Sequence, residues 1–183
     1  MILGEDQRMF VCLDWTELSV NDFGDAVGFH DHHREFHLRV IHGELINIDA
    51  FEVTRDTDVL DHSCWVWDSK PRGGEGKFNK VPGTTNKLSY RLLHTMLNPG
   101  TSGLRLRTDQ LHTVKQLTKS CAWIVTEVGP STNAPTVTWS RSRLDKWNAA
   151  DKYVPMAEKE ILKIESFARP VYEKAMSCSP PIR

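Results

Sequence analysis

At 183 residues, 39% of them hydrophobic and 26% charged, the chain is long enough for one compact domain with a core of its own. Six Trp and seven Phe exclude a disordered chain, and no apolar run approaches the ~18–20 residues that cross a bilayer. The formal net charge of −1 conceals a segregation: residues 1–68 hold fifteen Asp/Glu against four Lys/Arg, 69–119 hold two against ten, and 120–183 hold seven against nine.

Arg8 to Trp15 (RMFVCLDW) is rich in β-formers and reads as a first strand. Thr16 to Val27 has room for a short helix capped by Ser19 or Asn21. Phe36 to Ile41 and Glu44 to Val53 alternate as strands, and His42-Gly43 between them predicts a β-hairpin. Ser63 to Trp67 (SCWVW) reads as another strand, and the Gly/Pro-rich stretch 68–86 as a long loop. Lys87 to Leu97 predicts a helix with Leu88, Leu92 and Met96 on one face, and Thr108 caps a second over Asp109 to Lys119 with Leu111, Val114 and Leu117 in register. Cys121 to Val128 and Thr136 to Ser140 suggest a second hairpin. Pro155 starts a long closing helix with a stripe of Ile161, Ile164, Ala168, Val171 and Ala175, which Pro170 should kink or split. These elements predict an α+β fold in one domain, 1–183: a mostly antiparallel sheet of two hairpins, helices on one face and a long C-terminal helix.

The opening residues, Met1 to Asp6, have neither the basic nor the apolar region of a secretory signal. Cys12, Cys64, Cys121 and Cys178 form no C-x-x-C pair and read as reduced thiols, so a cytoplasmic location is expected, in the host's cytoplasm if the source is viral.

Five of the eight histidines (His30, His32, His33, His37, His42) lie within thirteen residues of the acidic segment. In an extended chain His30 and His32 point to one side, and with a nearby carboxylate they can take Zn, Mn or Fe. His37 and His62 are further candidate ligands, and a metal-free solvated loop is the plainer alternative. Glu35, Asp49 and Glu52 are the candidate catalytic carboxylates. Asp49 and Glu52, on one strand, resemble the acid-strand-acid layout of restriction-type nucleases, although Thr54 stands where their lysine would be. In the basic segment Lys70, Arg72, Lys77, Lys80, Lys87, Arg91, Arg105 and Arg107, with Phe78 and Tyr90 between them, form a candidate surface for nucleic acid or another polyanion. The rival reading is that these bases dock on the chain's own acidic half.

Two resemblances bear on the histidines. Gly24-x5-His30-x-His32-x2-Glu35-x7-Gly43 is similar to the first cupin motif, with one gap a residue short and the next a residue long. That resemblance implies a β-barrel in which His30, His32 and Glu35 hold a transition metal with a further His from a second motif, which His94 is too distant to supply. His42-Gly43-Glu44 resembles the H-x-E of zinc deaminases, but no P-C-x-x-C follows.

The leading expectation is a nucleic-acid-binding protein acting as a metal-dependent nuclease or phosphodiesterase. One alternative is a non-catalytic viral or mobile-element structural protein whose acidic and basic faces join copies into homo-oligomers. The other is a cupin-like metal enzyme acting on a small molecule.

Overall fold

The computed structural model describes residues 3–13, 28–52, 59–60, 63–68, 77–81, 88–132, 134–140 and 156–177, with the backbone alone at 52, 59–60, 67–68, 77 and 88–91. The described residues form twelve strands, in chain order β1 (Gln7–Cys12), β2 (Phe29–His30), β3 (Glu35–His42), β4 (Leu45–Glu52), β5 (Val59–Leu60) and β6 (Ser63–Asp68). They continue as β7 (Lys77–Lys80), β8 (Leu88–Leu97), β9 (Leu104–Leu106), β10 (Leu111–Gln116), β11 (Cys121–Val128) and β12 (Val137–Ser140), and the chain closes with the helix α1 (Glu158–Ser177).

The strands form two antiparallel sheets. One has the order β1-β11-β3-β9 and the other β5-β8-β4-β10-β2-β12-β6-β7. The sheets face each other across a core to which the first gives Phe36, Leu38, Val40, Leu106 and Cys121, and the second Leu45 and Leu97. Period-two alternation explains the division: Phe36, Leu38 and Val40 turn inward while His37 is exposed on the opposite face. That outer face of the four-stranded sheet carries Ile41, Met9, Ala122 and Ile124, and α1 covers it with Ala168, Phe167, Val171, Tyr172 and Ala175. Among the described residues no helix is long and apolar enough to cross a membrane. Cys12, Cys64 and Cys121 are free thiols, two of them buried.

The α+β expectation is overturned, because the molecule is mostly sheet with one described helix. The helices predicted over 87–97 and 109–119 are the strands β8 and β10. A spacing of four, as in Leu88, Leu92 and Met96, is a multiple of two as well as about one helical turn, so it fits either period. In β10 the apolar residues serve both faces, since Val114 packs into the core between the sheets and Leu111 on the far side. Both predicted hairpins are also corrected. β3 pairs with β11 and β9, whereas β4 pairs with β8 and β10, so Gly43 makes a corner from one sheet to the other. β11 and β12 likewise belong to different sheets. A second corner, residues 117–120, joins β10 to β11 and lies against the first. Leu117 N donates to Glu44 O at 2.9 Å, and Glu44 N to Thr118 Oγ1 at 3.0 Å. β3-β4 and β10-β11 thus form one two-stranded ribbon folded across both sheets. Pro170 lies inside α1 without dividing it. The helix predicted over 16–27 lies outside the described residues.

Candidate metal centre

β2 is two residues long and is held from both sides: His30 pairs with His112 of β10 and with Thr138 of β12. The tight fit begins at Gly28, where a Cβ would stand 1.7 Å from the Trp139 carbonyl oxygen. Past His30, Asp31 N donates to Val137 O at 3.1 Å and Val137 N donates to Asp31 Oδ1 at 2.6 Å. This double tie returns His32 to the side of His30, with ring centroids 4.7 Å apart. From β10, His112 comes to 4.9 Å from the His30 ring and 5.0 Å from the His32 ring. One ligand nitrogen from each of the three lies within 4.8 Å of the others, so the trio could hold a metal ion.

Hydrogen bonds set which nitrogens are available. The Asp49 carboxylate accepts from Asn47 Nδ2 at 2.9 Å and from Gln110 Nε2 at 2.6 Å. The Asn47 amide is thereby oriented with Oδ1 toward His112 Nδ1, 2.8 Å away, and that nitrogen must donate. His112 Nε2 therefore carries its lone pair toward the other imidazoles. His30 repeats the pattern, its Nδ1 donating to the Gly28 carbonyl at 3.1 Å. His32 Nε2 stands 2.7 Å from His112 Nε2. Such an outer ring of amide and carboxylate partners is what orients imidazoles at metal sites.

Burial keeps His32 and His112 uncharged. It pushes His32 down to about 3 and His112 to about 2, with the neighbouring imidazoles, His30 foremost, adding to the effect. Asp31 is raised by burial, against the pull of its bond from Val137. Three imidazoles with open positions beside them are the ligand set of many catalytic zinc centres.

The imidazoles sit in one wall of a cavity of about 520 Å³ between the sheets. Facing them are Phe36, Leu38, Trp123 and Val125, with Phe10 stacked on Trp123 at 5.6 Å. Phe36 meets the His32 ring edge-on at 4.4 Å. Arg8, Arg34 and Glu127 also line it.

Of the residues singled out in the sequence, the structure brings His30 and His32 together and adds His112, which sequence reasoning missed. His112 falls within the helix predicted over Asp109 to Lys119. Taken as a strand, LHTVKQ puts His112 and Val114 on one face, and that alternation was the available signal. His37 is exposed on the outer face of β3, away from the trio, and His62 lies outside the described residues. Glu35 is turned from the imidazoles and accepts from Arg105 Nε at 3.1 Å. Asp49 is buried behind His112, and the Glu52 side chain is not described. His42 packs edge-on against Phe167 at 5.0 Å, and Glu44 is exposed at the corner.

Among the basic residues, Arg105 is paired with Glu35 and Arg107 with Asp109, while Lys80 is exposed on β7. Lys77 in β7 and Arg91 in β8 are described by their backbone alone. Lys70, Arg72 and Lys87 fall outside the described residues. No protein-family model matches the chain, and no curated protein sequence does.

Proposed function

We propose that His30, His32 and His112 bind a divalent transition metal, Zn, Mn or Fe, and that the protein is a metal-dependent enzyme acting on a small molecule in the adjoining cavity. The observation that carries this is the convergence of three imidazoles from two strands and a loop on one wall of a largely apolar hollow. The likeness to the first cupin motif implied two of these ligands, and Asp49 takes the supporting rather than the ligating part. A metal held by three histidines keeps positions open for water or substrate, where it polarises or activates what it binds. A concave, largely apolar space of this volume suits a compact ligand better than a polymer strand.

Metal analysis of protein purified without an affinity tag tests the reading. About one equivalent of metal per chain is expected, lost in the H30A/H32A double variant. N47A should retain the fold and bind metal about 10–100-fold more weakly, because His112 loses the group that orients it. Wild-type protein free of metal and unable to take up Zn, Mn or Fe would end the proposal.

A further inference from the structure

We infer that the cavity selects a small carboxylic acid with an apolar body, its carboxylate gripped by Arg8 and Arg34 and its other end directed at the imidazoles; this rests on the metal-site reading above. The first argument is charge. Three neutral imidazoles leave a divalent ion its whole charge. Among the described residues lining the cavity, the charged groups are two arginines and one acid, Glu127. Both arginines share that acid: Arg8 Nη2 is 3.2 Å from Glu127 Oε1, and Arg34 Nη1 is 3.5 Å from Glu127 Oε2. Arg34 also approaches Asp6, at 3.7 Å, but Asp6 does not line the cavity. The two guanidiniums thus divide one carboxylate between them, whereas the planar fork of each is built to hold a carboxylate of its own with two nitrogens.

The second argument is the wall between the two ends. Phe36 touches the His32 ring and is the register partner of Glu127 on β11. Residues directly opposite in an antiparallel pair have Cβ atoms about 5 Å apart, so arginines and imidazoles are separated by a span on the order of 10 Å. That span is paved by Phe36, Leu38 and Trp123, so the ligand's middle must be apolar. Glu127 then acts as a placeholder: it holds the two arginines in position until a stronger, two-pronged carboxylate takes them.

The test uses the zinc-loaded full chain, titrated calorimetrically with 3-phenylpropionate and with its neutral isostere 3-phenylpropanamide. The acid is expected to bind roughly tenfold or more tightly than the amide. R8Q/R34Q should erase that preference while still holding zinc. E127Q should shift the acid the other way, tightening it, which a general loss of structure could not do. Equal affinities for the two probes, binding of neither, or a preference that survives in R8Q/R34Q would overturn the inference and leave the metal site standing. Failure of the wild-type chain to take up Zn, Mn or Fe would remove the metal-site reading and this inference with it.

Discussion

At the scale of single residues, the telling group is the chain of contacts from Asp49 through Asn47 to His112. It makes a buried carboxylate serve a histidine without touching it, and it fixes one tautomer. The same burial gives the metal-free protein a pH signature. In EDTA the unfolded chain's imidazoles take up protons near 6.5, while folded His32 and His112 resist protonation down to about 3 and about 2. Below 6.5 the unfolded state therefore binds more protons, and stability falls as the pH drops from there toward the folded values; above 6.5 the effect vanishes. Thermal melts in EDTA from about pH 7.5 to about pH 5 should show a falling Tm, and H32N should flatten the decline. A Tm that held steady across that range would show that these imidazoles are not held neutral. His30 and His32 were legible in the sequence because an H-x-H pair is local and needs only an extended chain to converge. His112, eighty residues beyond His32, was not, since only β-pairing brings it there.

At the scale of elements, most strands could be read from alternation, while their partners could not. Phe36 to Ile41 and Glu44 to Val53 alternate as a hairpin's strands do, and Gly43 supplies the positive φ, 72°, that a hairpin turn also uses. What the pattern omits is that both faces of β4 are buried, Leu45, Asn47 and Asp49 on one and Ile48 and Ala50 on the other. The pattern also omits that β4 is a central strand, hydrogen-bonded to β8 on one edge and β10 on the other. Gly43 at the corner yields a prediction by comparison with Gly129. Both have φ above +70°, which costs a residue with a Cβ about 1–2 kcal/mol. At Gly129 a Cβ would meet nothing within 4 Å, whereas at Gly43 it would come within 2.3 Å of Ser120 O and 2.4 Å of Thr118 Oγ1. In urea denaturation G129A should lose about 1 kcal/mol and G43A more than about 3 kcal/mol. Equal losses would mean that the two corners do not touch.

At the scale of the whole molecule, charge separated along the chain is interleaved in space. β4, from the acidic segment, lies between β8 and β10 from the basic one, and Arg105 meets Glu35 across the same divide. Composition by segment was plain in the sequence, but the crossing of the sheets, which decides where each charge goes, is a non-local property that no window of residues contains. The folded ribbon has a further effect on stability. Its corners close one end of the space between the sheets, where Val40, Leu45 and Cys121 fill the core, and the cavity opens toward the other. Amide hydrogen exchange should therefore be slowest at Leu45 and Cys121 and faster along β11 toward Val128. Uniform protection along β11 would contradict this.

Residues 31–34 and 107–110 tie the two sheets together again at the cavity end, opposite the folded ribbon. Sewn at both hems, the pouch has a mouth of set width, and a guest is sorted by its girth as it enters.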